Sequence, residues 1–282
     1  MVVGSLLSGY GASVRLGWKV SSNWTRPTLF IVYSVIRPIS AALILVVMYS
    51  VITGGRGNTY RYLAFLVVGQ AFWSFIQEGL AEFATGILED RGRYKMLKYA
   101  YLAPLRFPLF LVGRGTAKFG SAAAAVAIVL VIGTVFLRLP IDPLRIDYPL
   151  LVASCLLALV AVLAFGVLFS LLLLAGRNSY GYGEISAQVL YIFSGAIFPI
   201  SVLPHPIAVA ASFSPLPYWL ELVRRALLHD RVYQMFPQLS NGDVLLRLAL
   251  TTAGTVAICW IAYLFADRQA RRQGYIDMEA NW

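Results

Sequence analysis

The sequence predicts an all-α integral membrane protein with six transmembrane helices. Hydrophobic residues make up 59% of the chain and charged residues only 13%, whereas a soluble domain is typically about 45–50% apolar and about 25% charged. The hydrophobic residues form long runs, and about 20 of them suffice to cross a bilayer core of about 30 Å. The polar gaps between the runs are short, which leaves no room for a soluble catalytic domain. The predicted spans lie at about 27–52, 60–88, 108–137, 150–176, 185–203 and 244–266.

Residues 1–26 predict an amphipathic helix that lies in the membrane interface. Apolar side chains recur there at steps of three or four, which places them on one helical face. This face consists of Val3, Leu7, Tyr10, Val14 and Trp18. Glycines in the same stretch leave a polar tail as the alternative. We assign residues 27–267 to a six-span transmembrane domain and 268–282 to a polar C-terminal tail.

The most highly charged segment, 89–106, follows the second span. Tyr94, Leu97 and Tyr101 recur at helical spacing, and the basic residues recur with the same spacing on another face. Such a pattern is typical of a helix that lies parallel to the membrane. Pro104 ends the helix before the third span begins. The alternative is an ordinary, positively charged loop.

A few polar residues interrupt the first two spans. Arg37 lies within the first span, where an arginine needs either a polar partner or a path to the headgroups. Gln70, Gln77 and Glu78 lie along the second span. One interpretation places Glu78 on a cargo route or in an ion pair with Arg37 or Lys118. The other ends the membrane near Glu78, so that its carboxylate is hydrated.

The fifth hydrophobic run is followed by a chain that cannot cross the membrane again. Pro204 and Pro206 stop the helix, and the apolar piece 207–213 is far too short to span. It is therefore interfacial or re-entrant, and irregular backbone at membrane depth is tolerated where protein buries it. Pro215 and Pro217 then begin an amphipathic helix. Its apolar face consists of Trp219, Leu222 and Val223. Its charged face consists of Glu221, Arg224 and Arg225.

The distribution of basic residues predicts the orientation. Six spans place both termini and segment 89–106 on one side, and that side holds most of the 23 Lys and Arg residues. The positive-inside rule makes it cytoplasmic, so we expect a multi-pass protein of the cell membrane with both termini in the cytoplasm. The net charge of +10 suits contact with anionic lipid headgroups. We expect membrane lipids as partners and no nucleic acid.

No motif for catalysis, metal binding or nucleotide binding is present in the sequence. The histidines His205 and His229 lie far from any pair of acids, and Cys155 and Cys259 lie within apolar runs. No phosphate-binding G-x-x-x-x-G-K-[ST] loop occurs. We therefore expect no catalytic residue, no bound metal and no cofactor on this chain. An integral membrane enzyme acting on lipid-linked substrates is the rival hypothesis, and a scaffolding protein is a second.

The order of these features resembles the permease subunits of type-2 ABC exporters over nearly the whole chain. Two stretches carry the resemblance. One is EDRGRYKMLKYAYLAP (89–104), although Arg93 and Tyr94 stand where a Gly-Thr-type continuation is common in that family. The other is SGAIFPISVLP (194–204) followed by SPLPYWLELVRRAL (214–227).

The resemblance implies a half-transporter that pairs with a second permease subunit, identical or related. Each copy would bind a separate ABC ATPase subunit, which holds the ATP and Mg, through a coupling helix after the second span. The implied coupling residues are Glu89, Asp90, Arg91, Gly92, Tyr94 and Leu97. The broken hairpin would form the outer gate or, alternatively, a mere cap over the bundle. The implied gate residues are Phe198, Pro199, Phe213, Tyr218 and Trp219.

The sequence constrains the cargo only through the kinds of side chain that could line its path. Aromatic residues are frequent and fixed charges are few in this chain. These properties favour an amphipathic or hydrophobic cargo, such as a drug, a lipid or a lipid-linked glycan, over a small ion.

Overall fold

The computed structural model describes residues 59–92, 107–175, 182–229 and 232–273, together with 11–15 and isolated positions between 19 and 51. Residues 11–15 are helical, within the stretch predicted to be an interfacial helix. Most of the predicted first span, including Arg37, lies outside the described residues, as do Tyr94 and Leu97. The described part of the chain consists of helices and turns, without a β-strand in those ranges.

Four long helices occupy hydrophobic runs identified in the sequence. They are α1 (Thr59–Gly92), α2 (Phe107–Phe136), α3 (Tyr148–Ala175) and α7 (Asn241–Gln273). Helix α1 continues through the predicted end of the second span and includes residues 89–92. Helix α7 likewise runs past the predicted end of the sixth span.

Three of these helices contain segments that are long and apolar enough to cross a membrane. The segments are Arg61–Leu80, Tyr148–Ser170 and Asn241–Phe265, with 20, 23 and 25 residues. At 1.5 Å per residue they measure about 30 to 38 Å, which matches a bilayer core of about 30 Å. Helix α2 contains a shorter apolar piece, Ala122–Phe136. The described residues therefore support three of the six predicted spans.

The helix of the fifth hydrophobic run ends within the span that the sequence predicts at about 185–203. Helix α4 (Tyr182–Phe193) ends well before residue 203. Gly195 has a φ of +70°, a left-handed conformation that breaks an α-helix. The hydroxyl of Ser194 accepts a hydrogen bond from the amide of Ala196. The 12 described residues of α4 measure about 18 Å along the helix axis, and a span at about 185–203 stays a prediction.

The broken hairpin, residues 194–228, follows α4. It consists of a 3₁₀ turn (Ile200–Val202) and two helices, α5 (His205–Ser212) and α6 (Leu216–Leu228). Prolines begin both helices as the sequence predicts, because a proline at the first turn has no intrahelical N–H bond to lose. Helix α6 ends at His229, which has a φ of +52°.

Helices α1 and α6 form the centre of the fold. Helix α1 packs against α2, α3 and α4, and 83% of its apolar segment is buried, against 39% for α3 and 28% for α7. Helix α6 packs against α3, α7 and α1, and all its residues are buried. The outer faces of α3 and α7 expose large apolar side chains such as Leu156 and Leu250. Lipid would cover such faces in a membrane.

Candidate functional site

The structure buries three charged side chains of α6 that the sequence places on a polar helical face. Glu221 and Arg224 are each 0% exposed, and Arg225 is 7% exposed. The charged face of this amphipathic helix therefore meets protein partners instead of water. The signal that could have revealed this is the four-residue spacing of Glu221 and Arg225, which allows an ion pair along one helix.

Glu221 and Arg225 form a buried ion pair that also holds the chain after α6. The Nε atom of Arg225 lies 2.9 Å from Oε1 of Glu221. The other carboxylate oxygen accepts a hydrogen bond from the amide of Met235 at 3.1 Å. The remaining guanidinium N–H groups of Arg225 donate to the carbonyl oxygens of Leu239 and Phe236 and to the side-chain oxygen of Asn241. This network joins α6 to segment 232–241 at the start of α7.

Arg224 joins α6 to α1 and to the end of α4. Its Nε donates to the carbonyl of Phe65 at 3.2 Å, and its Nη2 donates to the carbonyls of Gly195 and Ala196, both at 3.0 Å. The guanidinium carbon lies 3.5 Å from the centre of the Phe65 ring, within cation–π range. Burial lowers the pKa of Arg224 to about 9, and the Glu221 charge opposes this shift. The guanidinium is therefore charged at pH 7.

Gly69 provides the space that Arg224 occupies. A Cβ atom at this position would lie 2.3 Å from Nη2 of Arg224 and 2.3 Å from the carbonyl oxygen of Ala196. Both distances are far below van der Waals contact, and one of the two atoms belongs to the backbone. Glycine is therefore required here for the close approach of α1, the end of α4 and α6. Nothing in the sequence singles out Gly69, since a lone glycine within a hydrophobic run is a weak signal.

Polar and aromatic side chains of α1 hold the beginning of the broken hairpin. Gln70, predicted as an intramembrane polar residue, is buried and accepts a hydrogen bond from the Tyr191 hydroxyl. Trp73 stacks on the ring of Tyr191 with centroids 4.7 Å apart. Tyr62 donates to the carbonyl of Ile197 at 3.0 Å. Gln70 thus holds the last turn of α4, directly before the broken hairpin, from within the protein.

The sequence predicts two further intramembrane polar residues on α1. Gln77 and Glu78 are half-buried, farther along α1. An ion pair between Glu78 and Arg37 stays a prediction, because Arg37 lies outside the described residues.

The five predicted gate residues separate into two environments. Phe213 is 75% exposed, whereas Tyr218 and Trp219 are 4% and 1% exposed. Trp219 meets Phe72 of α1 edge to face at 5.7 Å. Tyr218 stacks on Phe236 at 5.2 Å and donates to the carbonyl of Ser212 at 2.9 Å. Of the remaining two, Phe198 is half-buried and Pro199 is buried.

The predicted coupling residues begin on α1 itself. The backbone of residues 89–92 is helical and continuous with the rest of α1. The distance along the helix from Gly69 to Gly92 is about 35 Å at 1.5 Å per residue. One continuous helix therefore joins the surroundings of the broken hairpin to the start of segment 89–106. Tyr94 and Leu97 lie outside the described residues.

The described residues contain no group of three or more His, Cys, Asp or Glu side chains arranged to hold a metal ion. The ionised side chains of Glu221 and Arg225 lie 2.9 Å apart. Both side chains also bind segment 232–241, so their hydrogen bonds connect α6 to the start of α7.

A comparison with protein families shows the class of protein to which the chain belongs. A model described as ABC-2 type transporter matches residues 14–228. The chain belongs to the ABC-2 type transporter family. It is a transmembrane permease component of an ABC transporter, of the kind that works with an ATPase subunit. The match ends at the last residue of α6, so the broken hairpin lies within the matched region of this ABC-2 permease. A comparison with curated proteins found no match.

Proposed function

We propose that this ABC-2 permease is the membrane subunit of an ATP-driven exporter. Its cargo is amphipathic or hydrophobic, of the drug, lipid or lipid-linked glycan class, and leaves the cytoplasm or the inner leaflet. The observation that carries the proposal is the connection of the broken hairpin to α1 by Arg224 and Tyr62. The far end of the same helix holds the predicted coupling residues 89–92.

The energy comes from a separate ABC ATPase subunit that binds ATP and Mg. This subunit contacts segment 89–106, so that segment faces the cytoplasm together with both termini in the cell membrane. Shifting a two-state gate from mostly closed to mostly open takes about 5.5 kcal/mol, and nucleotide binding to the partner supplies it. Segment 89–106 passes the movement to α1. A second permease subunit, identical or related, completes the path.

The broken hairpin is the outer gate of this path. Prolines and aromatic rings give it a dry, apolar surface, and Phe213 presents its ring outside the packed core. Aromatic and aliphatic side chains suit contact with an apolar or amphipathic cargo. Such a surface would not replace the hydration shell of a small ion.

Reconstitution of the permease with its ATPase partner in proteoliposomes tests the proposal. The ATPase rate is measured with a fluorescent amphipathic drug, with a short-chain labelled lipid and with a lipid-linked glycan. We expect one class to accelerate ATP hydrolysis and to be transported. The ATPase subunit alone serves as the control and should not respond. Failure of all three classes to alter hydrolysis or to be moved would contradict the proposed cargo chemistry.

A further inference from the structure

We propose that the two helices of the broken hairpin have different roles in the gate. Helix α6 is the fixed part, which moves only together with α1 and α7, and α5 with its flanking residues is the moving part. Arg224 and the Glu221–Arg225 pair are the positioning residues that fix α6. This inference rests on the proposed gate function and assigns its moving part.

The bonds of α6 explain why it is fixed. Arg224 contacts α1 through the Phe65 carbonyl and the end of α4 through the Gly195 and Ala196 carbonyls. The ion pair of Glu221 and Arg225 contacts segment 232–241 through Met235 and its neighbours. Any movement of α6 against these elements would leave buried charges without partners, which is costly in a low-dielectric interior.

The stretch between Ile197 and Ser212 is attached to the rest of the protein differently from α6. It is attached at its two ends by tyrosine hydroxyls, one from Tyr62 to the Ile197 carbonyl and one from Tyr218 to the Ser212 carbonyl. Within it, the exposed apolar side chains are Val202, Ile207 and Val209, and Phe213 follows directly after it.

Little of that stretch is held by the core. Its buried side chains are Pro199, Ile200 and Ala211, and α5 packs only against α4 and the 3₁₀ turn among the main contacts. It carries no Asp, Glu, Lys or Arg that could be stranded by movement. Displacing α5 therefore breaks few contacts and exposes no buried charge, in contrast to displacing α6.

Pairs of spin labels on the assembled transporter can separate the two parts. Arg61 provides an exposed reference site at the beginning of α1, Gln238 an exposed site on the segment that Arg225 holds, and Val209 an exposed site on α5. Cysteines are introduced at Arg61 and Gln238 in one variant and at Arg61 and Val209 in another, with Cys155 and Cys259 replaced by alanine. Labelled chains are diluted with unlabelled chains, so that the distances measured lie within one chain.

Distances are compared between the nucleotide-free and the ATP-trapped complex in lipid. We expect the Arg61–Gln238 distance to stay constant and the Arg61–Val209 distance to change. If both distances change equally, α6 is not fixed and the inference is wrong, although a gate would remain. If neither distance changes while ATP drives transport, the proposed gate itself is wrong.

A substitution tests the role assigned to Arg224. Lysine keeps the positive charge but cannot reach three carbonyl groups as a planar guanidinium does. In the Arg224→Lys variant we expect the Arg61–Gln238 distribution to broaden and the number of cargo molecules moved per ATP to fall. Arg145→Lys, on an exposed loop, is the matched control and should behave as wild type. An unchanged distribution in Arg224→Lys would remove Arg224 from the proposal, and the wild-type distances decide the rest even if this variant fails to assemble.

Discussion

At the scale of single residues, the fold depends on contacts at a few buried positions of α1 and α6. Gly69 lies against the Arg224 guanidinium and the Ala196 carbonyl, and the space between them is smaller than a methyl group needs. Glu221 and Arg225 neutralise each other inside the protein and are also hydrogen-bonded to the chain beyond α6. Each of these contacts makes a quantitative prediction.

Gly69→Ala should destabilise the protein. The added methyl group overlaps a backbone carbonyl as well as the end of a side chain, so α1 and the end of α4 must separate, at a cost of about 1–3 kcal/mol. The matched control is Gly120→Ala in α2, where a Cβ atom would meet nothing within 4 Å. Denaturation in mixed micelles measures the free energy of unfolding of both. Equal stabilities would show that Arg224 is not held as described.

Glu221→Gln should destabilise the protein by about 3–5 kcal/mol, because it leaves the Arg225 charge buried without its partner. Asp142→Asn is the control, since it removes the carboxylate of the exposed Asp142–Arg145 pair. An exposed pair contributes only about 0–1 kcal/mol. Chemical unfolding curves of the two variants give the comparison. A small loss for Glu221→Gln would mean that water reaches the Arg225 guanidinium.

The charges on α6 also show that a sequence does not determine the partners of a charged side chain. The pattern correctly places Glu221, Arg224 and Arg225 together, opposite an apolar face. Helical periodicity does not reveal whether the partners of a charge are water molecules or carbonyl groups. The acceptors of Arg224 come from Phe65 and Gly195, which are distant in sequence, so only the folded structure brings them together.

At the scale of helices, the sequence predicts where the two helices of the broken hairpin begin, because prolines mark both starts. The end of α4 near Gly195 is harder to predict. Pro204 and Pro215 precede α5 and α6, and both starts follow from the fixed φ of proline. Helix α4 ends at Phe193, and Gly195 shortly after it has a left-handed φ of +70°, which helical periodicity in the sequence does not reveal. The long helices lie on the hydrophobic runs of the sequence, since such runs determine them.

The separation of the gate residues into buried and exposed members predicts different phenotypes. Trp219→Ala should lower the free energy of unfolding by about 3–5 kcal/mol, because it opens a cavity against Phe72. Phe213→Ala should change stability by less than about 0.5 kcal/mol, since its ring is exposed, yet it should alter the transport rate. Paired measurements of unfolding and transport in proteoliposomes check this. A Phe213→Ala variant with normal transport would exclude Phe213 from the gate.

At the scale of the whole molecule, α1 connects the broken hairpin to the predicted coupling segment. It is the most buried of the three apolar segments that can cross a membrane, and it continues without interruption to Gly92. A continuous helix transmits a push along its axis with little loss. The sequence predicts both ends of this connection, but only the structure shows that they belong to one helix.

Arg91→Ala should uncouple ATP hydrolysis from transport. The substitution removes a charge from the predicted contact with the ATPase subunit while leaving the broken hairpin intact, so we expect hydrolysis to continue and the number of cargo molecules moved per ATP to fall. Proteoliposomes in which both rates are measured give that ratio. Arg145→Ala, on the loop before α3, is a control that should keep the wild-type ratio. Normal coupling in Arg91→Ala would contradict its assignment to the contact.

The most direct test of the central claim is cross-linking in native membranes with an amine-reactive reagent, followed by purification of the tagged permease and mass spectrometry. The account predicts cross-links from Lys95 and Lys98, in segment 89–106, to an ABC ATPase subunit. It also predicts that Arg91→Ala weakens them. Recovery of cross-links from Lys95 and Lys98 to other proteins, with no ABC ATPase among them, would contradict the account.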